Sequence, residues 1–342
     1  IMYPLCLLTF VFSPLEKIFL LLVLIFERIS GMLATFDFLT IYMKMSLFSV
    51  GLFYLCLILI FKFGLKKMYV GLIISILLFY VKNFVDPNWY VYYFDVGQGD
   101  STLLISAKQR EIIMIDTGGL KSYDEDTKYY VSDKIITFLH SKGINKINKM
   151  LLSHGDYDHM GDAINVVSKV KVKEVVFNCG QYNSLEKNLI EVLKQKRIKY
   201  SACINDIKGE NIKLYFLNTR VYDNENDSSS VVYMNYNNYK FLFMGDAGIS
   251  KEQDLLKQYS LEKIDFLKVG HHGSNTSTSE EFVNRIKPSY AIISVGKKNR
   301  YGHPKYSVLQ TLYNSKIYRT DVDGSIEVKL GKNGFSIKTF NP

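Results

Sequence analysis

Imidazole and thiol groups are scarce in this 342-residue chain, which has six histidines and four cysteines. Cys6 and Cys56 lie in apolar runs, Cys179 and Cys203 stand alone, and no Cys-x-x-Cys spacing occurs, so there is no cysteine framework. All four read as reduced packing residues, with a Cys179–Cys203 bond as the open alternative. Long-period internal repeats are absent, and so is an initiator methionine. The chain begins at Ile1 with an apolar run under way, and reads as the C-terminal piece of a longer membrane protein. Acidic residues are outnumbered, 33 against 42 basic, for a net charge of +9. Seven basic and four acidic residues precede Tyr90, so the remainder carries +6, a balance suited to a polyanionic partner or a membrane surface.

Apolar residues are unevenly spread, and a boundary falls near residue 88. Residues 1–88 read as the end of a transmembrane channel domain, and residues 89–342 as a water-soluble domain large enough to bury a core. Residues 1–13 would close a spanning helix at Ser13-Pro14. Ile18–Phe26, nine apolar residues between charged pairs, is too short to span and reads as re-entrant or interfacial. Met45–Phe61 and Met68–Val81 carry no charge and read as two spans. The link between them holds Lys62, Lys66 and Lys67, which the positive-inside rule places in the cytoplasm. The soluble domain would then lie outside it.

From Trp89 the period changes. Tyr90–Phe94, Thr102–Ile105, Ile112–Ile115 and Lys149–Leu152 are short β-type runs, joined later by Val175–Phe177, Leu214–Leu217, Ser230–Tyr236, Tyr239–Met244, Phe266–Val269 and Tyr290–Val295. Helical spacing marks Asp133–Ser141, Met160–Ser168, Ser184–Gln195 and Ser250–Tyr259, the last with Ser250 as the expected cap. A meander of strands followed by alternation with helices predicts an α/β fold of two packed sheets with helices outside. Asn237-Asn238 between two β runs predicts a type I′ hairpin.

The most specific stretch is Ser153-His154-Gly155-Asp156-Tyr157-Asp158-His159, with four metal-capable side chains in six residues after the apolar run Lys149–Leu152. Such spacing suits a loop at a strand end, where sites form in α/β sheets. The plainer alternative is a polar loop that caps the helix near Met160, for which one carboxylate suffices. Three further clusters end apolar strands. Gly245-Asp246 leaves a carboxylate able to bridge two cations. His271-His272-Gly273-Ser274 offers an imidazole to complete a metal shell and groups to face an anion. Arg300-Tyr301-Gly302-His303-Pro304 places His303 in a basic loop as a proton donor or phosphate contact, against the alternative of an ordinary surface histidine.

Together with Asp95-Val96-Gly97-Gln98-Gly99-Asp100-Ser101 and Ile115-Asp116-Thr117-Gly118-Gly119, these motifs resemble the metallo-β-lactamase superfamily, and more narrowly the C-terminal domain of the ComEC family of DNA-internalisation channels. The resemblance implies an αββα sandwich preceded by transmembrane helices. It implies that His154 and Asp156 hold one metal, Asp158 and His159 a second, that Asp246 bridges, and that His271 or His272 completes the second shell. Asp156 stands where the superfamily usually has a histidine, and Asn226–Ser229 replace its third-motif histidine. Oxygen-rich ligands favour two divalent ions drawn from Mn²⁺ or Zn²⁺, with Mg²⁺ admitted. In the expected site Asp156, Asp158 and His303 are catalytic. Ser101, Lys268, Ser274 and Arg300, with Lys305, contact phosphate. Asp95, Asp100 and Asp116 support the ligands.

The activity so implied is a nuclease tethered to a multi-pass membrane channel, degrading the DNA strand that is not transported during natural competence, beside other uptake proteins. Its DNA is single-stranded or an incoming duplex. Two alternatives stand beside it: a non-catalytic module that guides DNA, and a phosphorylcholine-esterase-like surface hydrolase.

Overall fold

The computed structural model describes residues 14–34, 47–63, 69–74, 77, 86–119, 130–209 and 213–341. The chain divides into two compact units, Ile1–Met43 and Lys44–Pro342. In the first, the described residues form the helix Pro14–Ala34. Pro14 stands at the first position of this helix, where its missing N–H is harmless; the spanning helix expected to close at Ser13-Pro14 lies outside the described residues. Ile18–Phe26 is the middle of this 21-residue helix and not a separate re-entrant segment. The charges of Glu16, Lys17, Glu27 and Arg28 break its apolar run, and Ile18, Leu21, Leu24 and Phe26 are exposed.

In the second unit the first helix is Leu47–Phe63. Its length is about 25 Å at 1.5 Å per residue, short of the roughly 30 Å of a bilayer core. Among the described residues no helix is long and apolar enough to cross a membrane. Residues 1–13, Lys66 and Lys67 lie outside the described residues, and of the expected span 68–81 only 69–74 and 77 are described.

The strands of the first half are β1 (Trp89–Tyr93), β2 (Thr102–Ile105), β3 (Ile112–Ile115), β4 (Lys146–Ile147), β5 (Lys149–Leu151), β6 (Lys171–Val172), β7 (Glu174–Phe177) and β8 (Lys199–Ala202). They continue as β9 (Asp206–Lys208), β10 (Lys213–Phe216), β11 (Val232–Tyr236), β12 (Tyr239–Phe243), β13 (Phe266–Lys268), β14 (Tyr290–Ile293), β15 (Lys316–Arg319), β16 (Ser325–Gly331) and β17 (Gly334–Phe340). One sheet has the order β17-β16-β1-β2-β3-β5-β7-β8 and the other β15-β14-β13-β12-β11-β10-β9, with β4 and β6 as a small separate pair.

Alternation along the strands builds three apolar layers, because successive side chains leave a strand on opposite faces. Val91, Tyr93, Leu104, Ile113, Phe241, Phe243, Phe266, Val328 and Leu330 fill the space between the sheets. Their neighbours Tyr92, Leu103, Ile105 and Met114 meet Ile135, Leu139, Val166 and Leu189 on the outside of the first sheet. Leu242, Leu267, Ala291 and Ile293 meet Leu255, Phe282 and Val308 outside the second. The helices supplying those residues are Ser132–Ser141, Ala163–Lys169, Ser184–Lys196, Ile249–Gln258, Glu280–Ile286 and Tyr306–Thr311. The result is the αββα order of layers.

Two local expectations change. The helix at 249 begins one residue before Ser250, with Gly248 in the capping position and no side-chain cap. Asp227 Oδ1 instead accepts from Gly248 N–H at 2.9 Å. Cys179 and Cys203 are bonded, not reduced. They follow β7 and β8, which run parallel and in register, Phe177 beside Ala202, so the two thiols leave adjacent strand ends side by side.

Candidate metal centre

Parallel pairing aligns the C-terminal ends of β3, β5 and β7 in one sheet and of β12, β13 and β14 in the other. The residues just past those ends carry the polar motifs: Asp116 after β3, Ser153 to His159 after β5, Asp246 after β12, His271 and His272 after β13, Ser294 after β14. Polar backbone freed at a strand end is where a sheet can hold a ligand.

Asp246 is the centre. The Nε2 atoms of four histidines face its carboxylate, His159 at 3.0 Å, His272 at 3.7 Å, His271 at 3.8 Å and His154 at 4.0 Å. Asp156 Oδ2 lies 3.5 Å from His154 Nε2, and Asp158 Oδ2 lies 3.2 Å from His272 Nε2. Asp246, His154, His159 and His272 are buried, whereas the Asp156 and Asp158 side chains are 46% and 33% exposed and form the mouth. Oxygens and nitrogens of Asp100, His159, Asp246 and His272 lie within 4.8 Å of one another, a grouping able to hold a cation. Beside Asp246 and His271 a cleft of about 650 Å³ opens, walled by Glu225, Asn226, Asp227 and Thr276.

The imidazoles are oriented from behind. His272 Nδ1–H donates to the Ser294 carbonyl at 2.9 Å, and His159 Nδ1–H to Asp116 Oδ2 at 2.9 Å. Asp116 also accepts from Ser153 N–H and Ser153 Oγ–H, both at 2.7 Å. The Ser153 hydroxyl, its proton so committed, accepts from His154 Nδ1–H at 3.0 Å. With Nδ1–H so engaged, each ring in its neutral form turns its Nε2 lone pair towards Asp246, the arrangement in which a carboxylate or carbonyl behind a histidine orients it as a metal ligand. His154 Nε2, His159 Nε2, Asp246 Oδ1 and Asp100 Oδ1 are buried and make no aligned hydrogen bond among the described residues. Buried polar atoms are rarely left so. Lone pairs and carboxylates aimed at one point fit a divalent cation.

The same carboxylates set the acidity of the rings. Burial opposes charge on His272, but Asp246, Asp100 and Asp158 outweigh it and raise its pKa to about 10. His159 is raised well above an ordinary imidazole against the same burial, by Asp246 and Asp116. Asp246 is held well below the usual carboxylate range, since His159, His272 and His154 outweigh its burial. His271, a quarter exposed, is lowered by burial.

The backbone of the supporting loops is unusual. Asp116, His271 and His272 have φ of 57°, 47° and 53°, left-handed values that are uncommon for non-glycine residues. His271 N–H donates to the Gly245 carbonyl at 3.1 Å, which ties the ends of β12 and β13 together. Asp100 N–H donates to the Asp158 carbonyl at 3.0 Å, and a side chain on Gly99 would collide with that same carbonyl. Glycine there is what lets the 95–101 loop lie against the 153–159 loop.

Several expected site residues stand elsewhere. Lys268 does not face phosphate: it is buried, and its Nζ donates to Asp100 Oδ2 at 2.6 Å. Asp100, expected as support, joins the close group, and Lys268 and His272 hold its carboxyl below the usual range despite burial. Ser101 is also buried and donates to the Asp116 carbonyl at 3.0 Å. Ser274 is buried and partners Thr276. Asp95 accepts from Gly97 N–H within its own loop, remote from the imidazoles in the bonds it makes. Arg300 is exposed at the rim and donates to the Tyr301 hydroxyl at 2.8 Å. His303 lies with its ring centre 6.0 Å from that of His271. Burial, then His271, His272 and Lys305, push its pKa down to about 4, so it is neutral at pH 7 and not a ready proton donor. Ser229, one of four residues in place of the third-motif histidine, lies 3.3 Å from His154 Nδ1 and accepts from Asp246 N–H.

An αββα layering with a His/Asp cluster across the ends of both sheets defines a class, and residues 94–297 match its family: the chain belongs to the metallo-beta-lactamase superfamily. Its curated relatives are more particular. It is 35% identical over 252 residues to ComE operon protein 3 of Bacillus subtilis (strain 168), covering 69% of this chain and 32% of that protein. Identity is 32% over 268 residues to Recombination protein 2 of Haemophilus influenzae, covering 77% and 31%, and 27% over 243 residues to Competence protein ComA of Neisseria gonorrhoeae, covering 70% and 32%. These are homologues of the ComEC family, and the chain spans about a third of the length of each.

Proposed function

We propose that the chain is a metal-dependent phosphodiester hydrolase acting on DNA, tethered to a membrane uptake channel, where it degrades the strand that is not transported. The observation that carries this is the Asp246 carboxylate faced by four Nε2 atoms at 3.0–4.0 Å, with the exposed carboxylates of Asp156 and Asp158 at the mouth. That donor set fits divalent cations: His154, Asp156, Asp158, His159, Asp246 and His272 would hold them, with Asp100 within reach of His159, Asp246 and His272. The short Asp158–His272 contact favours His272 over His271 as the completing ligand. When bound, such ions polarise phosphate oxygens and lower the pKa of water.

The protein's own groups do the rest. Asp116, Ser153 and Ser294 hold the imidazoles in the tautomer that points lone pairs inward. Asp156 or Asp158, at the solvent-facing mouth, accepts the proton of the attacking water. His271 and neutral His303 border the place where a phosphate enters. The exposed apolar side chains of Pro14–Ala34 and Leu47–Phe63 suit contact with lipid or with the rest of a channel, and the relatives' names connect that channel with competence. The Cys179–Cys203 bond suits an oxidising compartment, in keeping with a domain outside the cytoplasm.

The test is hydrolysis of labelled single-stranded and duplex DNA by the 342-residue chain in detergent, metal-free and then with Mn²⁺, Zn²⁺ or Mg²⁺, beside a small phosphocholine ester. Metal-dependent DNA cleavage supports the nuclease. DNA binding without cleavage under every metal overturns it in favour of a guiding module, and turnover of the ester alone points to a surface esterase. Protease applied to intact cells should clip the chain after Asn83; full protection places the domain inside.

A further inference from the structure

The loop from Lys297 to Tyr306 has features that the metal centre does not use. No acidic residue occurs from Phe282 to Thr320, and Lys297, Lys298, Arg300 and Lys305 fall within nine residues of one another. Lys297, Lys298 and Arg300 are exposed. Between and beside them stand two aromatic rings open to solvent, Tyr301 at 47% and Tyr306 at 74%.

This loop is held firmly against the metal centre. Lys305 N–H donates to the Gly273 carbonyl at 2.9 Å, which joins it to the turn carrying His271 and His272. Asn299 staples it internally: its Oδ1 accepts from His303 N–H at 2.9 Å, and its Nδ2 donates to the carbonyls of Gly296 and His303. From the centre outwards the rings form a ladder. His271 meets His303 at 6.0 Å, His303 stacks on Tyr301 at 5.8 Å and 12°, and the Arg300 guanidinium lies 4.9 Å over the Tyr301 ring. Every nucleobase has a π face, and basic side chains interleaved with accessible aromatic rings are what a single strand needs.

We propose that Lys297–Tyr306 is the platform for the substrate strand. An unpaired base stacks on Tyr301, displacing or sandwiching against Arg300, while Lys297, Lys298 and Arg300 hold the flanking phosphates and lead the backbone past His303 to His271. The partner is single-stranded nucleic acid, because a paired base keeps its faces inside the helix. This rests on the nuclease reading and names the form of its substrate.

The test is anisotropy of a short fluorescein-labelled oligothymidylate with the full chain in EDTA, so that no cleavage intervenes, as a function of salt. Tyr301→Ala should weaken binding about 5- to 150-fold, the range for losing one base stack, and leave the salt slope unchanged. Tyr301→Phe should bind as the parent does. Lys297→Ala and Lys298→Ala should each reduce the slope of log K against log salt by about 0.7. Binding of a duplex should not respond to Tyr301→Ala. Parental affinity in Tyr301→Ala, or an equal loss on duplex, overturns the platform even if the parent cleaves DNA. A parent that cleaves under no metal overturns the nuclease reading but leaves the platform standing if the tyrosine effect is present.

Discussion

At neutral pH the metal-free centre carries protons that a cation has to expel. His272, raised to about 10, is protonated at pH 7, and His159 is shifted in the same direction by Asp246 and Asp116. An ordinary imidazole with a pKa near 6.5 would carry only about a quarter of a proton at that pH. Binding of divalent ions should therefore release about one proton from His272, with His159 adding to it, where an unperturbed imidazole would release about a quarter of one. For His272 alone, three pH units between about 10 and 7 weaken the apparent affinity at pH 7 roughly a thousandfold relative to the deprotonated site. Calorimetric titration of Mn²⁺ into the metal-free chain, in buffers of different ionisation enthalpy, reads the count as the slope of heat against buffer enthalpy. His272→Ala should lower the count by one, and Asp246→Asn should lower it further by removing the anion that raises both rings. A release of half a proton or less in the parent would refute the reasoning, because the carboxylates would then not be charging the imidazoles.

Asp158→Ala should reduce hydrolysis at least a hundredfold with little change in the melting curve, since the side chain is a third exposed; unchanged turnover in the folded variant removes the site assignment. Lys268→Met removes the closest cation from buried Asp100, leaving His272 as its remaining charged partner, and should destabilise the fold by up to about 3–5 kcal/mol, read by urea unfolding. Reduction of the Cys179–Cys203 bond, or Cys179→Ser, should lower stability by about 3.5 kcal/mol, the chain-entropy value for a loop of this length; no change under dithiothreitol would mean the bond does not form. The metal-free fold should be most stable between the ordinary carboxylate and imidazole values, 3.8 and 6.5. The contribution of depressed Asp246 is lost as pH falls below that window, and that of raised His272 is lost as pH climbs towards 10.

Strands with an apolar period of two were legible: Thr102–Ile105 and Ile112–Ile115 form at the residues expected, and Asn237-Asn238 turns the β11–β12 hairpin with φ of 48° and 66°. Local chemistry determined those. The His154 to His159 motif was legible too, because four donors in six residues have few other uses. What escaped was whatever depends on distant pairing. Lys268 reads as a surface cation until the sheets pack and bring Asp100, 168 residues away, to 2.6 Å. The cysteine bond depends on β7 and β8 lying parallel in register. The hairpin of β16 and β17 was missed although Ile326, Val328 and Leu330 alternate with Glu327 and Lys329, a half-buried strand pattern in plain view.

That last hairpin has a bearing on synthesis. β1 pairs with β16 on one side and β2 on the other, so one backbone edge of β1 stays unpaired until residues 326–330 arrive, after everything between has been translated. A growing chain thus carries an unfinished sheet edge rich in aromatic residues for most of its time on the ribosome. A stop codon before Ser325 should leave a product with an unpaired edge on β1, prone to aggregate, even though every histidine of the centre would already have been made.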